Sequence, residues 1–291
     1  MTSILFIGHC TKDVITIHDE TSNIPGGGVY FGASSAGYCL KQEKKEGVSL
    51  KVLTIGNPID FEVINTEMKA CGSDLSLIPD QFTTTFIHSF EDNNPDKRIS
   101  SVGDIARPFT WDDIKDHHGK LFYVNPLFFG EIDPVLFINM KQNCQFIFVD
   151  SQGLLRHQRD GKIFLRPPQD LHATLENIHI LKVDTTEAEA LTGIKDSRKA
   201  CLALLEYGPQ WIIYTQSSGV ELHTKDSFIS SPFSSWTLQG RTGRGDTVSA
   251  AFLLLHFILG YDAQKSLDMA AKATCKKMQH PGAAKMSDFE D

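Results

Sequence analysis

The chain of 291 residues has few cysteines and no closely spaced pair of them. Its six cysteines are scattered, and no two are separated by only two residues, as they would be in a C-x-x-C zinc or redox motif. In a chain of this length the pattern indicates reduced thiols packed in a core. We therefore expect neither a disulfide framework nor a zinc centre.

An excess of positive charge is also absent. The sequence has 28 lysines and arginines against 36 aspartates and glutamates, which gives a formal net charge of −8. Binding of nucleic acid calls for clustered basic residues, so the balance argues against a nucleic-acid partner. An anionic small ligand remains compatible, because local backbone N–H groups can bind an anion whatever the net charge.

Long hydrophobic runs are missing as well. The longest one, residues 250–259, is interrupted by His256 and is too short to span a bilayer. The first residues lack a basic region and break at Gly8, which is typical of a strand and not of a signal peptide. From the sequence we expect a cytoplasmic protein that does not bind membranes.

Several familiar catalytic motifs do not occur. There is no Walker A sequence, no G-x-S-x-G elbow and no zinc-binding helix motif. The glycine tract 26–28 is not a dinucleotide fingerprint, because it does not follow a strand directly and no acidic partner is well placed after it. Two interpretations of the tract stay open: a backbone that approaches a ligand closely, or a plain glycine-rich turn.

What the sequence does contain is a regular alternation of apolar runs and helical segments. Apolar runs that predict buried strands occupy residues 4–7, 51–55, 121–124, 146–149, 178–183 and 211–214. Most of them end in polar residues, and helical stretches such as 187–191 and 197–207 lie between them. This pattern predicts an α/β fold with a doubly wound, mostly parallel sheet and a polar rim along one edge.

Some polar residues at this rim are candidates for ligand contacts. Asn125 and Gln152 follow two of the apolar runs, where we expect them to contact substrate hydroxyls. Asp13 is placed by the same reasoning at the carboxyl end of the first strand, although a turn carboxylate explains its position equally well. Glu131 and Arg156 are weaker candidates, which the sequence does not separate from structural residues.

One region interrupts the alternation. Two β-rich runs, 83–90 and 99–102, flank a polar turn and predict a hairpin that projects from the main sheet. Together with residues 14–18 it would form a small lid, so we expect one domain over 1–291 with lid segments at about 13–24 and 82–104. Arg98 would then either reach a phosphate or lie on the surface.

The stretch G-R-T-G-R-G-D at 240–246 runs straight into an apolar helix. Glycines allow several N–H groups to face one point, and the first helical turn adds unpaired donors and a partial positive charge. Such a pocket suits a phosphate, and Asp246 would accept a proton from a nearby hydroxyl. The alternative is an ordinary helix start with Asp246 as N-cap. Taken alone, the stretch does not decide between them.

Four blocks in this order resemble the ribokinase-like (PfkB) carbohydrate kinases over the whole chain: residues 8–13, 26–33, 184–193 and 242–246. Within that family the chain looks most like the myo-inositol 3-kinases. The segments that carry this closer resemblance are N-P-L-F-F-G-E at 125–131, D-S-Q-G at 150–153, residues 235–246 and M-Q-H-P-G at 278–282.

The resemblance implies ATP-dependent phosphorylation of a polyol hydroxyl, most readily of myo-inositol, with Mg²⁺ as cofactor. It makes Asp246 the base that takes the hydroxyl proton. The backbone N–H groups of Thr242, Gly243, Arg244 and Gly245 would form the anion hole.

The remaining roles follow from the same resemblance. Glu187 would organise Mg²⁺ through water, with Asp184 beside it, while Thr215 and Gly219 would border the nucleotide. The resemblance also implies that Asp13, together with Gly28, would hold the hydroxyls of the substrate. The implied partner is a small polyol or sugar, and the chain would be a monomer or a homodimer formed through the lid.

Five positions depart from the pattern of the wider family. Phe31 stands where many sugar kinases carry a substrate-binding asparagine, which argues against ribose-like substrates. Asp184 replaces an asparagine, and Ser217 replaces a glycine of the nucleotide loop. Gly240 replaces an aspartate linked to a monovalent cation site, so a potassium requirement is in doubt. Arg244 replaces an alanine and would either pair with donor phosphates or point into solvent.

Two alternatives to an inositol kinase remain. One is a kinase of the same fold that acts on another sugar or on a nucleoside, because specificity depends on a few lid and rim residues. The other is a catalytically silent relative that binds a ligand or a partner. The presence of both Asp246 and Glu187 argues against the silent relative.

Overall fold

The computed structural model describes residues 2–17, 20–90, 98–234 and 240–290. The strands are β1 Thr2–Ile7, β2 Thr11–Ile17, β3 Glu20–Gly26, β4 Val48–Gly56, β5 Ser73–Pro79, β6 Thr85–Phe90, β7 Arg98–Val102, β8 Gly119–Val124, β9 Cys144–Asp150, β10 Arg156–Arg159, β11 Lys162–Leu165, β12 Ile180–Asp184, β13 Trp211–Gln216, β14 Gly219–His223 and β15 Phe228–Pro232. The α-helices are α1 Gly28–Gln42, α2 Glu62–Cys71, α3 Trp111–Ile114, α4 Leu136–Met140, α5 Gln152–Leu155, α6 Leu171–Leu175, α7 Thr185–Thr192, α8 Ser197–Leu205, α9 Arg244–Leu253 and α10 Ala263–Lys277.

Nine strands form the main sheet, in the order β15-β14-β13-β12-β9-β8-β1-β4-β5. All neighbours from β12–β13 to β4–β5 pair in parallel, whereas β13, β14 and β15 pair antiparallel at one edge. The α/β fold predicted from the alternating pattern is confirmed. Because β1 pairs with β8 on one side and β4 on the other, the strand order reverses there, which is where open α/β sheets bind ligands.

Helices cover both faces of this sheet, because its central strands are apolar on both sides. On one face α1 packs on α9 through small residues such as Ala33 and Ala36, beside Phe252. On the other face α7 and α8 contribute Leu191 and Leu204 to a second core. The two cores hold the sheet rigid, so residues at its carboxyl edge keep fixed positions.

A second, four-stranded sheet has the order β3-β2-β6-β7. The predicted hairpin is confirmed, since β6 pairs antiparallel with β7. Asp13 is not at the carboxyl end of the first strand, as the sequence suggested; it lies inside β2 of the small sheet, because the chain turns at Gly8 and starts a new strand at Thr11. Residues 18–19 and 91–97 of the expected lid segments lie outside the described residues.

The apolar helix after the glycine–arginine stretch begins two residues earlier than Asp246. Its N-cap is Gly243, with φ +80°, and Arg244, Gly245 and Asp246 form the first turn. The interpretation of Asp246 as an N-cap is therefore wrong. The α-helix passes into one π-turn, Leu254–Ile258, before Gly260, and α10 follows with Asp262 as its N-cap.

All six cysteines are free thiols, five of them buried. Among the helices of the described ranges, none has the length and apolar character needed to cross a bilayer.

Candidate active site

Asp246 lies at the carboxyl edge of the main sheet and remains partly exposed. Its Oδ1 accepts a hydrogen bond of 2.7 Å from Nδ2 of Asn125, which follows β8. The Asn125 side-chain oxygen in turn accepts a bond of 2.6 Å from Nε2 of Gln152, at the start of α5. Three residues from separate strand and helix ends thus form a series of hydrogen bonds that fixes the orientation of the Asp246 carboxylate.

The surroundings of Asp246 raise the pKa of its carboxyl group. Burial is the main cause, and it outweighs the nearby positive charge of Lys182 and the hydrogen bond from Asn125, which both lower the pKa. A raised pKa makes the carboxylate a stronger proton acceptor than an ordinary surface aspartate. A carboxylate with these properties can take a proton from a nearby hydroxyl.

The loop before α9 supplies amides on the same side. The first amides of any α-helix lack intrahelical partners. Here the amide of Arg244 donates a hydrogen bond of 3.3 Å to the Arg241 carbonyl in the preceding loop, and those of Gly245 and Asp246 follow it in the first turn. Gly243 adopts φ +80°, and a β-carbon there would lie 2.6 Å from the ring of Phe31, so only glycine fits. The geometry supplies an anion-binding turn next to a carboxylate.

A buried ionic cluster lies beneath this loop. Nζ of Lys182, from β12, is 3.2 Å from Oδ2 of Asp150 and 3.3 Å from Oε2 of Glu187. A guanidinium nitrogen of Arg156 lies 3.9 Å from Oε1 of Glu187. A β-carbon on Gly245 would be 3.4 Å from Nζ of Lys182, so this cation directly adjoins the anion-binding turn.

The pKa values of the two carboxyl groups in the cluster are shifted in opposite directions. Burial raises the pKa of Asp150, and the neighbouring Glu187 and Asp246 add to the effect against the charge of Lys182. Burial also acts to raise the pKa of Glu187, but Lys182 and Arg156 outweigh it and lower that pKa. Burial lowers the pKa of Lys182, while Asp150 and Glu187 more than offset it, so the ammonium stays charged.

Asp184 and Glu187 form a capping box at the start of α7. The Asp184 side chain accepts from the amide of Glu187, and the Glu187 side chain accepts from the amide of Asp184, both at 2.8 Å. Glu187 also accepts a bond of 3.0 Å from Ser151. Among the described residues no group of three or more metal-ligating side chains occurs. The two carboxylates suit a hydrated Mg²⁺ ion held through water and donor phosphates, and not a protein cage.

Asp13 and Gly28, the two residues expected to hold substrate hydroxyls, differ in their distance from Asp246. Oδ1 of Asp13 accepts from the Thr11 hydroxyl at 2.7 Å, and its Oδ2 lies 3.7 Å from Nε2 of His88. A β-carbon on Gly28 would meet the Asn125 amide at 2.3 Å. Gly28 is thus brought against the Asn125–Asp246 pair, while Asp13 belongs to the small sheet.

The residues expected to border the nucleotide are more dispersed. Thr215 is buried near the end of β13, and its hydroxyl would lie 4.0 Å from a β-carbon on Gly245. Gly219 begins β14, where a β-carbon would lie 2.5 Å from the Ser231 carbonyl, so strand packing alone requires glycine. Thr242 is exposed. The guanidinium carbon of Arg244 lies 5.7 Å from the ring centroid of Phe233, so this side chain is held on an aromatic face.

The two weaker candidates, Glu131 and Arg156, make different kinds of contact in the structure. Glu131 is buried and accepts bonds of 2.8 Å from the backbone amides of His9 and Leu127, which ties two loops together and is a structural role. Arg156 is one-third exposed and joins the ionic cluster through Glu187. The side chain of Arg98 lies outside the described residues.

Residues 141–289 match the family model described as pfkB family carbohydrate kinase. The chain belongs to the pfkB family. The resemblance stated from the sequence motifs is thereby confirmed. No match was found among the curated proteins.

Solved structures extend the match to the whole chain of this pfkB-family kinase. A sulfate complex of a pyrophosphate-dependent kinase in the ribokinase family is 32% identical, covers 98% of this chain and 99% of its own, and has a TM-score of 0.87. A pyrophosphate-dependent kinase in the ribokinase family complexed with a pyrophosphate analogue and myo-inositol is also 32% identical, with 98% of each chain covered and a TM-score of 0.87. Arabidopsis thaliana ribokinase complexed with ribose and ATP is 16% identical, covers 100% of this chain and 96% of its own, has a TM-score of 0.76 and shows the fold alone.

Two lysines in this pfkB-family site were not predicted from the sequence. Lys182 interrupts an otherwise apolar run inside β12, two residues before Asp184, and that position was the only signal for it. Lys277, at the end of α10, is fully buried and contacts the loop before α9 from below. No local pattern distinguishes Lys277 from its neighbour Lys276.

Proposed function

We propose that this kinase phosphorylates a hydroxyl group of a polyol, with myo-inositol as the first candidate substrate and Asp246 as the general base. The observation that carries the proposal is the position of Asp246. It is the third residue of a helix whose first amides form an anion-binding turn, and Asn125 fixes its carboxylate. The choice of myo-inositol is supported by the relative of 32% identity that is complexed with it.

In the proposed reaction the substrate hydroxyl oxygen attacks the terminal phosphorus of the donor. A new O–P bond forms, the P–O bond to the leaving phosphate group breaks, and the hydroxyl proton passes to Asp246. In this proposal the amides of Gly245 and Asp246, with the adjoining ammonium of Lys182, stabilise the negative charge that develops on the transferred group. Mg²⁺, when bound near Asp184 and Glu187, would neutralise charge on the donor.

The donor that we propose is pyrophosphate, with ATP as the second candidate. Relatives that are 30–32% identical over 98% of the chain are described as pyrophosphate-dependent. ATP, the donor expected from the resemblance to the family, is supported by the more distant ribokinase that is complexed with ATP. The glycine turn does not discriminate, because its amides bind a phosphate group whatever leaves from it.

One experiment tests substrate and donor together. Phosphate transfer is measured with pyrophosphate and with ATP, each with Mg²⁺, across a panel of inositols, other polyols, sugars and nucleosides. The proposal expects the highest kcat/KM for myo-inositol with pyrophosphate. A higher kcat/KM with ATP would show that ATP and not pyrophosphate is the donor. A higher kcat/KM for a sugar or nucleoside would show that myo-inositol is not the preferred substrate.

A matched pair of variants tests whether the site is catalytic at all. Asp246→Asn removes the base, while Asp268→Asn changes an exposed aspartate on α10. The proposal expects loss of transfer only in the first variant. Absence of transfer with every donor and acceptor by the folded wild-type protein would favour the silent relative.

A further inference from the structure

The buried Lys277 ammonium contacts the loop that leads into α9. Its side chain is fully buried, and Nζ donates a 2.9 Å hydrogen bond to the carbonyl of Gly240. Nζ also donates to the carbonyl of Thr242, and it lies 5.5 Å from the ring centroid of Phe31. One cation therefore binds two carbonyls of the stretch that leads into the first turn of α9.

Burying this ammonium is unfavourable, and ion pairing does not offset the cost. Within the described part of the chain no carboxylate lies within 4 Å of Lys277 Nζ, although Asp246 from α9 and Asp288 from the last turn lie near enough to favour its charged form. Burial outweighs both carboxylates and lowers the pKa of Lys277 to about 8. A methionine would fill the same space without this penalty, so the ammonium needs another explanation.

Peptide geometry supplies that explanation. A peptide group is planar and trans, so its C=O and N–H point in opposite directions. When Lys277 holds the Thr242 carbonyl on the α10 side, the N–H of Gly243 points away from α10. A β-carbon on Gly240 would meet the backbone of Met278 at 2.0 Å, which places α10 directly against the loop. A β-carbon on Gly245 would meet Lys182, which belongs to the sheet edge.

We propose that Lys277 is a positioning residue for phosphoryl transfer, which fixes the Gly240 and Thr242 carbonyls so that the amides of the loop face the transferred phosphate. Its charge also adds a positive potential behind the anion-binding turn. This inference rests on the proposed kinase function, because it assigns Lys277 a part in that reaction.

The first test is Lys277→Met, with Lys276→Met as the matched control. Lys276 is the neighbouring lysine, and its Nζ donates to the Glu290 carbonyl, away from the loop. Misplacement of a catalytic group by about 1 Å costs ~10² in rate. We expect kcat of Lys277→Met to fall by roughly that factor with little change in KM for the polyol, and Lys276→Met to behave like wild type. An unchanged kcat in Lys277→Met would overturn the proposal.

Chemical rescue separates positioning from packing. Lys277→Ala leaves a cavity next to the two carbonyls, and methylammonium supplies a small cation with N–H donors. We expect added methylammonium to restore part of kcat in Lys277→Ala and to have no effect on wild type. If a small neutral molecule such as ethanol restores kcat equally well, the loss of kcat comes from lost packing and not from the lost cation, and the proposal fails.

The wild-type pH profile is a test that needs no variant. The ammonium is charged below about pH 8 and loses its charge above it, so we expect kcat to fall as pH rises through this value. Because the unfolded-state pKa is higher, ~10.4, the unfolded chain binds more protons in this window, and Lys277 makes stability rise with pH. A basic limb in kcat that Lys277→Met lacks supports the proposal, and the same limb in both proteins overturns it.

A direct binding measurement distinguishes this inference from the proposed function. Calorimetric titration with inorganic pyrophosphate reports the anion-binding turn without turnover. We expect weaker binding by Lys277→Met than by Lys276→Met. If wild type transfers no phosphate but this difference is seen, the proposed function fails and the role of Lys277 in anion binding stands. If wild type is active and the two variants bind alike with equal kcat, only the inference about Lys277 fails.

Discussion

Asn125 donates a hydrogen bond from Nδ2 to Oδ1 of Asp246 over 2.7 Å, although 121 positions separate the two residues in the chain. Asn125 follows β8, and Asp246 lies in the first turn of α9, so the bond joins the carboxyl edge of the sheet to this helix. Gln152 holds the other end of the Asn125 amide. The carboxylate therefore has one fixed orientation before any substrate enters.

Replacing Asn125 by Ala should shift the acid limb of kcat/KM to higher pH. The hydrogen bond from Asn125 lowers the pKa of Asp246, against the larger effect of burial. Without it the pKa rises further, and because the base must be ionised, activity is lost sooner as pH falls. Profiles of kcat/KM against pH measure this. A smaller shift in the same direction is expected for Gln152→Ala, and a shift to lower pH in either variant would contradict the mechanism.

Asp246→Asn should lower kcat without lowering stability. Removal of a general base typically costs ~10²–10⁴ in rate. The amide oxygen can still accept from Asn125, and the variant no longer buries a charge at this position, so the thermal midpoint should stay the same or rise. Steady-state kinetics and thermal denaturation provide the two readouts. Equal turnover by the variant and wild type would show that another group accepts the proton.

The sequence predicted the interior of the fold better than its edges. Strands buried on both faces, such as β8 and β9, are continuous apolar runs, and they were found from that pattern. The edge strands β5 and β15 and the hairpin β10–β11 were not predicted. Most of their residues are exposed or half-exposed, so none of them forms a buried apolar run. Their positions depend on pairing with a neighbouring strand, which a local pattern does not encode.

In the candidate site, too, the features encoded by a local pattern were predicted and those that depend on strand pairing were not. Asp246 and its glycine turn were recognisable because the glycines and the following helix are consecutive in the chain. The Lys182 cluster was not, since Asp150 is 32 residues away and reaches Lys182 only through the parallel pairing of β9 with β12. A lone lysine within a strand has no identifiable partner until the strand order is known.

Gly243→Ala should destabilise the protein and lower its activity. A non-glycine residue in the left-handed region costs ~1–3 kcal/mol, and the added methyl group would also meet the Phe31 ring at 2.6 Å. Gly282→Ala is a matched control, because its φ is +81° and nothing lies within 4 Å of the added carbon. Denaturant unfolding should show a larger loss for Gly243→Ala. Equal losses in both variants would mean that the Phe31 contact has no cost.

Lys182→Met should destabilise the protein most near neutral pH. The substitution leaves the carboxylates of Asp150 and Glu187 buried without their shared cation, a change that costs ~3–5 kcal/mol in comparable pairs. In wild type the lowered pKa of Glu187 stabilises the fold above its unfolded value of ~4.3, and this contribution is lost as pH falls through the folded pKa.

In Lys182→Met the same carboxylates take up protons at higher pH than in wild type, so the difference in unfolding free energy should shrink as the solution is acidified. Urea unfolding of both proteins at neutral and at mildly acidic pH measures the effect. Adding Asp150→Asn to Lys182→Met should recover part of the loss, because one buried charge is then removed. A difference that is independent of pH would show that Lys182 contributes by packing alone and not by its charge.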